Sequence, residues 1–186
     1  MNKTKKLNDI AQLQFGYYAP PLEVGSVLYI QVKHFDELGR YNEQMDTFVD
    51  LDQKNETHIL NEGDILFVGK GNRNFAWAYT KTVGPAIASS IFFVIKPDRN
   101  QVLPEYLTTI FNLPKNQIYF QSLGAGSSIP SIRKSELEMF PVPLPEMSVQ
   151  KKIVELKQLH ELEIRLTQEI VDKKRMLFQE VINQLI

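Results

Sequence analysis

The sequence predicts an α+β protein. A globular domain of mixed sheet and short helices, residues 1–144, should be followed by one long coiled-coil-like helix over residues 145–186. Three observations predict this division. Short apolar, β-branched runs crowd the first half of the chain, and two proline-initiated helical segments follow them. Beyond the punctuated segment Phe140-Pro-Val-Pro-Leu-Pro145, the chain then reaches Ile186 with no further Pro or Gly. With 186 residues, 43% of them hydrophobic, it can bury one good core and is short for two.

The elements follow in order. Val27 to Val32 alternates weakly and is rich in β-formers, and His58-Ile-Leu60 is a second short strand candidate. Asp64-Ile-Leu-Phe-Val68 reads as a strand entered through the turn signal Glu62-Gly63-Asp64, and Gly69 to Asn74 breaks the pattern as a surface loop. Phe75 to Thr80 resumes extended structure. Ser90 to Ile95 is a continuous apolar run, the mark of a central strand covered on both faces, closed by Lys96-Pro97. Pro104 and Pro114 suit the first turns of helices reaching Phe111 and Leu123. Gly124 to Ser128 makes a flexible, hydroxyl-rich loop, and Leu137 to Leu144 reads as a short extended piece.

The terminal helix should start near Pro145 or Ser148, and about 39 residues would make a rod of roughly 58 Å. Leu156, Leu159, Leu166, Ile170, Leu177 and Val181 follow a three-four spacing that Glu163 and Lys173 interrupt. Such a seam predicts pairing with defined register and orientation. The simpler alternative is a helix packed back on its own domain.

The absence of Cys excludes disulfides and thiolate chemistry and fits a reducing, cytoplasmic setting. His34, His58 and His160 share no metal-ligand spacing, and no apolar run approaches membrane-spanning length, so neither a metal nor a membrane partner is expected. Net charge is −1, but it is unevenly distributed. Residues 65–134 hold 8 basic and 2 acidic residues, a local +6. Gly69-Lys70-Gly71 lacks phosphate-loop spacing, and Asn112-Leu-Pro114 departs from the Asn-Pro-Pro-aromatic signature of amino-methyltransferases. The carboxylates between Asp36 and Asp52 show no metal-site spacing and read as a solvated acidic surface.

The remaining chemistry suits DNA. Lys70, Asn72, Arg73 and Asn74 combine cations and amides on one loop, the residue types that pair with base edges. Lys81 lies in the same basic stretch, while Ser127, Ser128, Arg133 and Lys134 suit phosphate oxygens. Tyr17, Tyr18 and Tyr79 are candidates for sugar or thymine-methyl contacts, with half-buried packing as the simpler role.

These residues resemble the DNA-specificity subunits of type I restriction-modification systems. The resemblance is carried by Leu7-Asn-Asp-Ile10, Glu62-Gly-Asp-Ile-Leu-Phe67, Gly126-Ser-Ser-Ile-Pro-Ser-Ile-Arg-Lys134, and Phe140-Pro-Val-Pro-Leu-Pro145 followed by Gln150-Lys-Lys-Ile153 opening the long helix. A usual member carries two such units in tandem, each a target-recognition domain and a conserved helix; this chain holds one. The resemblance implies a non-catalytic reader of double-stranded DNA that binds no cofactor itself. Its partners would be methyltransferase (modification) subunits using S-adenosylmethionine and a restriction subunit using ATP. It also implies antiparallel helix pairing. With a single helix available, this would take the form of a homodimer through Leu156, Leu159, Leu166, Ile170, Leu177 and Val181. A small DNA-acting enzyme fragment and a coiled-coil scaffold without DNA specificity are the alternatives from other classes.

Overall fold

A computed structural model describes residues 3–42, 46–123 and 130–185. Three small sheets organise the head. A four-stranded antiparallel sheet has the order β2 (Ala11–Phe15), β8 (Phe92–Pro97), β5 (Ile65–Val68), β6 (Ala76–Ala78). A three-stranded sheet places β3 (Val27–Ile30) between β4 (Phe48–Val49), antiparallel, and β7 (Ala86–Ala88), parallel. Finally β1 (Lys3–Lys6) pairs antiparallel with β9 (Pro141–Leu144), tying the start of the chain to the segment before the rod. Four helices follow or interleave: α1 (Pro104–Phe111), α2 (Pro114–Leu123), α3 (Lys134–Glu138) and α4 (Met147–Leu185).

β5 and β8 are buried on both faces because side chains alternate across a strand. Ile65, Phe67, Phe93 and Ile95 join Leu107, Phe111, Phe120 and Phe140 in the core beneath α1 and α2. Leu66, Val68, Phe92 and Val94 point the other way, onto Leu28, Ile30 and Ala86 of the three-stranded layer and Phe35 of the turn after it. Phe92 to Ile95 of the apolar run thus form a central strand, as its composition predicts, whereas Ser90 and Ile91 lie in the turn before it and the strand continues through Lys96-Pro97.

Two expectations are corrected. His58 ends a 3-10 turn, and only Ile59 reaches a strand, through an isolated bridge to Ile87. Only Pro141–Leu144 of the expected extended piece pairs as a strand, because Lys134–Glu138 closes a short helix in which Glu136 Oε2 accepts the Arg133 backbone N–H at 2.7 Å. Asn112 also has a structural task. Its side-chain amide accepts from Ala76 N at 2.9 Å and donates to Ala76 O at 2.8 Å, so it supplies the partner that edge strand β6 lacks.

Helix α4 touches the head only at its beginning. Ile153 and Val154 pack against the core, and Gln150, 1% exposed, is the one fully buried residue of the helix. Its amide accepts the Leu103 N–H at 3.0 Å and donates to Gln101 O and Pro145 O, both at 3.0 Å. Leu103 is the residue before Pro104, where α1 leaves backbone donors without intrahelical partners. One side chain thus joins the root of the rod to the start of α1. Beyond Val154 the helix does not pack back on the head. Leu156, Leu159, Leu166, Ile170, Leu177 and Val181 are all 45–68% exposed.

Candidate nucleic-acid interface

The loop after β5 lies against the segment before α3. Gly71 N donates to Pro130 O at 2.9 Å, Ile132 N donates to Gly69 O at 2.9 Å, and Lys70 bridges Ser131. Two stretches 60 residues apart in sequence are thereby zipped side by side, which brings Lys70 next to Arg133 and Lys134. The three cations rim a depression of about 270 Å³ whose apolar lining includes Phe15, Ile91 and Phe93. Phe15 is 51% exposed, with its ring 5.1 Å from that of Phe93, and Ile91 is 39% exposed.

Local constraints explain the shape. Gly69 presses its backbone on the Phe93 ring, where a Cβ would sit 2.3 Å from a ring carbon. Gly71 adopts φ +106°, a conformation that favours glycine, and so turns the loop outward. Lys134 is half-paired, its Nζ 3.6 Å from Glu138 Oε1, while no described residue engages the Lys70 ammonium or the Arg133 guanidinium. Exposed cations beside apolar surface can hold phosphate oxygens while the aromatic meets a sugar or base.

Other candidate residues are placed elsewhere. Arg73 donates to Asp36 O at 2.7 Å and lies 5.1 Å above the Phe75 ring, so it fastens the 69–74 loop to the turn at Asp36. Asn74 is buried and donates to Val68 O at 2.8 Å. Each therefore has a structural task within the head, although Arg73 is only half-buried and this bond uses one of its guanidinium N–H groups; Asn72 alone of the amides in this loop is exposed. Lys81 sits in a 3-10 turn beyond β6, at the opposite end of the β5–β6 pair from Lys70. Lys96 and Arg99 share that far end, where they face buried Asp64. Six of the eight basic residues of the +6 stretch are thus split between two ends of one sheet, while Arg73 fastens its loop and Lys115 lies in α2. Ser127 and Ser128 lie outside the described residues. Tyr79 is buried with its hydroxyl on Gly84 O, Tyr17 packs 5.1 Å from His58, and only Tyr18 is exposed.

Phe15, Ile91 and Ser131 are the members of this depression that residue chemistry alone does not single out. Phe15 ends β2 in register with Phe93, and only the pairing of β2 with β8 reveals that it stands at an open rim.

A second polar cluster resembles catalytic machinery but is internally satisfied. His34, 2% exposed, accepts the Gln31 N–H at Nδ1 (3.1 Å), which leaves Nε2 to donate to Asp46 Oδ1 at 2.9 Å. Thr47 Oγ1 donates to the same oxygen at 2.7 Å and Lys33 Nζ lies 3.0 Å away. These three partners, the Thr47 hydroxyl foremost, hold the Asp46 carboxyl well below the usual carboxylate range. Both imidazole nitrogens are occupied, so the cluster pins a turn.

Fold and site together define a head with a cationic, aromatic-floored rim on a free-standing helical rod. A family model described as the type I restriction modification DNA specificity domain matches residues 2–173, and the chain belongs to that family. Solved structures share the fold. The HsdS subunit from Thermoanaerobacter tengcongensis aligns with a TM-score of 0.63 at 15% identity, covering 88% of this chain and 38% of that one. The type I restriction-modification S subunit from M. genitalium aligns at 0.61 and 13% identity, covering 88% and 40%. A chain from a structural study of type I R-M complex assembly and conformational transition aligns at 0.58 and 18% identity, covering 88% and 39%. This chain therefore spans about two-fifths of the length of the solved chains it matches. No curated protein sequence matches it.

Proposed function

We propose that this chain is a non-catalytic, sequence-specific reader of double-stranded DNA. It would carry one recognition head and deliver methyltransferase and restriction subunits to a bipartite site in the cytoplasm. The observation that carries the reading is the convergence of Lys70, Arg133 and Lys134 around exposed Phe15 and Ile91. Phosphate contacts from the rim would position the head, with Asn72 within the same loop as a base-edge candidate. S-adenosylmethionine and ATP would be bound by the partner subunits. No helix among the described residues is long and apolar enough to cross a membrane.

Two copies would associate through the exposed stripe of α4 as an isologous dimer, and identical heads related by a twofold axis read an interrupted palindrome. The deciding measurement is duplex binding across a salt series. Each phosphate contact removed should lower the slope of log affinity against log salt by about 1. The variant K70A/R133A/K134A should lose affinity and about two to three units of slope. An unchanged slope would remove this rim from the DNA interface. A methylome with an asymmetric motif, obtained with this chain as the sole specificity subunit, would defeat the dimer.

A further inference from the structure

The rod of this chain carries a code for how two copies meet. We propose that two α4 helices pair antiparallel with Glu163 of each copy against Lys173 of the other. In this register the Leu177 to Val181 turn of one copy seats in the cleft between α1 and α4 of its mate. The inference rests on the dimer reading above, with the antiparallel pairing that the family resemblance implies, and adds to it a register and a second contact surface.

Two independent observations carry it. The first is charge. Glu163 and Lys173 occupy seam positions of the three-four pattern, flanked by Leu159, Leu166, Ile170 and Leu177. A parallel in-register pair would stack Glu163 on Glu163 and Lys173 on Lys173, a like-charge layer at each break. An antiparallel pair with Glu163 opposite Lys173 converts both layers into ion pairs. Stepping along the two helices from that contact, Ile170 meets Leu166 and Leu159 meets Leu177, each contact occurring twice about a centre level with Gln168. Sliding the antiparallel pair by one heptad sets Glu163 against Leu166 in one direction and against Glu180 in the other. Either slip buries an unmatched charge or opposes two like ones.

The second observation is shape. Where α4 leaves the head, an open cleft of about 550 Å³ lies beside α1, lined by Thr109, Ile153, Leu156, Leu159 and Glu163 among others. The register fixed by the charges sets Leu177 of the second copy against Leu159, and Val181 beside Leu156 and Ile153. That turn would cover the apolar lining of the cleft, and Lys173 would meet Glu163 at its rim. The cleft is open in one copy and would be closed by the Leu177 to Val181 turn of the other rod.

The test is a charge swap on the full chain, read by sedimentation equilibrium. Each single reversal, E163K or K173E, places two like-charge pairs in the dimer and should weaken it by at least about tenfold. The double variant E163K/K173E restores both pairs and should return within about threefold of the wild type. The sequence contains no Cys, so oxidative cross-linking gives a direct second readout. A mixture of L159C and L177C chains should cross-link, and neither variant should cross-link alone. A dimer whose double variant is no tighter than the single variants, or in which L159C cross-links to itself, overturns the register and leaves the dimer reading standing. A chain that stays monomeric at the highest accessible concentration overturns both.

Discussion

Truncating Gln150 tests whether one side chain fixes the rod to the head. Gln150→Ala removes an acceptor from Leu103 N–H and a donor shared by Gln101 O and Pro145 O, all at 3.0 Å and centred on a side chain 1% exposed. Each lost hydrogen bond is worth about 1 kcal/mol net, and more where water cannot reach the stranded group, so the change should cost about 3 kcal/mol. With a urea m-value of about 2 kcal/mol/M the unfolding midpoint should fall by about 1.5 M, and the Leu103 amide should lose its exchange protection. Gln150→Glu separates the roles. Its carboxylate still accepts from Leu103 N–H but offers no proton to the two carbonyls, so Leu103 stays protected while stability falls at neutral pH. A buried carboxyl facing two carbonyl oxygens has a raised folded pKa, so that loss should be relieved as pH falls through it and the acid form regains a donor. An alanine variant with an unchanged midpoint and a protected Leu103 amide would refute the anchoring argument.

Further outcomes follow from contacts within the head. Arg73→Ala should cost about 1–2 kcal/mol, from the bond to Asp36 O and the stacking on Phe75. It should leave the salt slope of DNA binding intact, and a loss of slope would return Arg73 to the interface. Gly69→Ala forces a Cβ onto the Phe93 ring and should cost about 1–3 kcal/mol while weakening DNA binding, because Lys70 follows in the chain; wild-type stability would contradict the close approach. The depressed pKa of Asp46 means that its contribution to stability is present above the ordinary carboxylate range and lost as pH falls through and below about 4. Asp46→Asn should therefore flatten the acid limb of the stability–pH curve, and superimposable acid limbs for variant and wild type would exclude the cluster as its source.

Much of the architecture is legible in local pattern because local physics determines it. The prolines at 104 and 114 start helices, the apolar run at 92–95 is buried on both faces, and the Pro- and Gly-free tail is a helix from Met147 to Leu185. Elements that depend on distant partners are not legible in this way. β1 and β9 are strands only because they pair across more than 130 residues, and Pro141 and Pro143 hide the second of them from any propensity argument. The site divides along the same line. Loop chemistry singles out Lys70, Arg133 and Lys134, but that they share one rim depends on the backbone pairing of Gly69–Gly71 with residues 130–132. It does not reveal that Asn74 is buried with its amide on Val68 O or that one guanidinium N–H of Arg73 is held by Asp36 O, because an amide or guanidinium has the same composition whether it faces DNA or its own backbone. Phe15 fails in the opposite sense. An aromatic at a strand end reads as core until the register with β8 places it at the open rim.

The anchor and the register together convert a flexible idea of spacing into a fixed one. A long helix alone says only that two heads are held apart, since a rod free to swing at its root or slide along its mate would present them at many separations. Gln150 removes the first freedom by bonding at once to the start of α1 and to the Pro145 carbonyl. The Glu163–Lys173 pairing would remove the second, because neighbouring registers oppose charge to leucine or to like charge. The two Gln150 anchors would then lie about 54 Å apart along the paired rods, at about 1.5 Å per residue, which is close to 16 base-pair steps of about 3.4 Å. Two heads held on paired rods would share a discriminating bipartite footprint only if that distance is held. Head and rod would then act as one device, in which the buried glutamine at their junction would bear on DNA selection although it does not line the cationic rim.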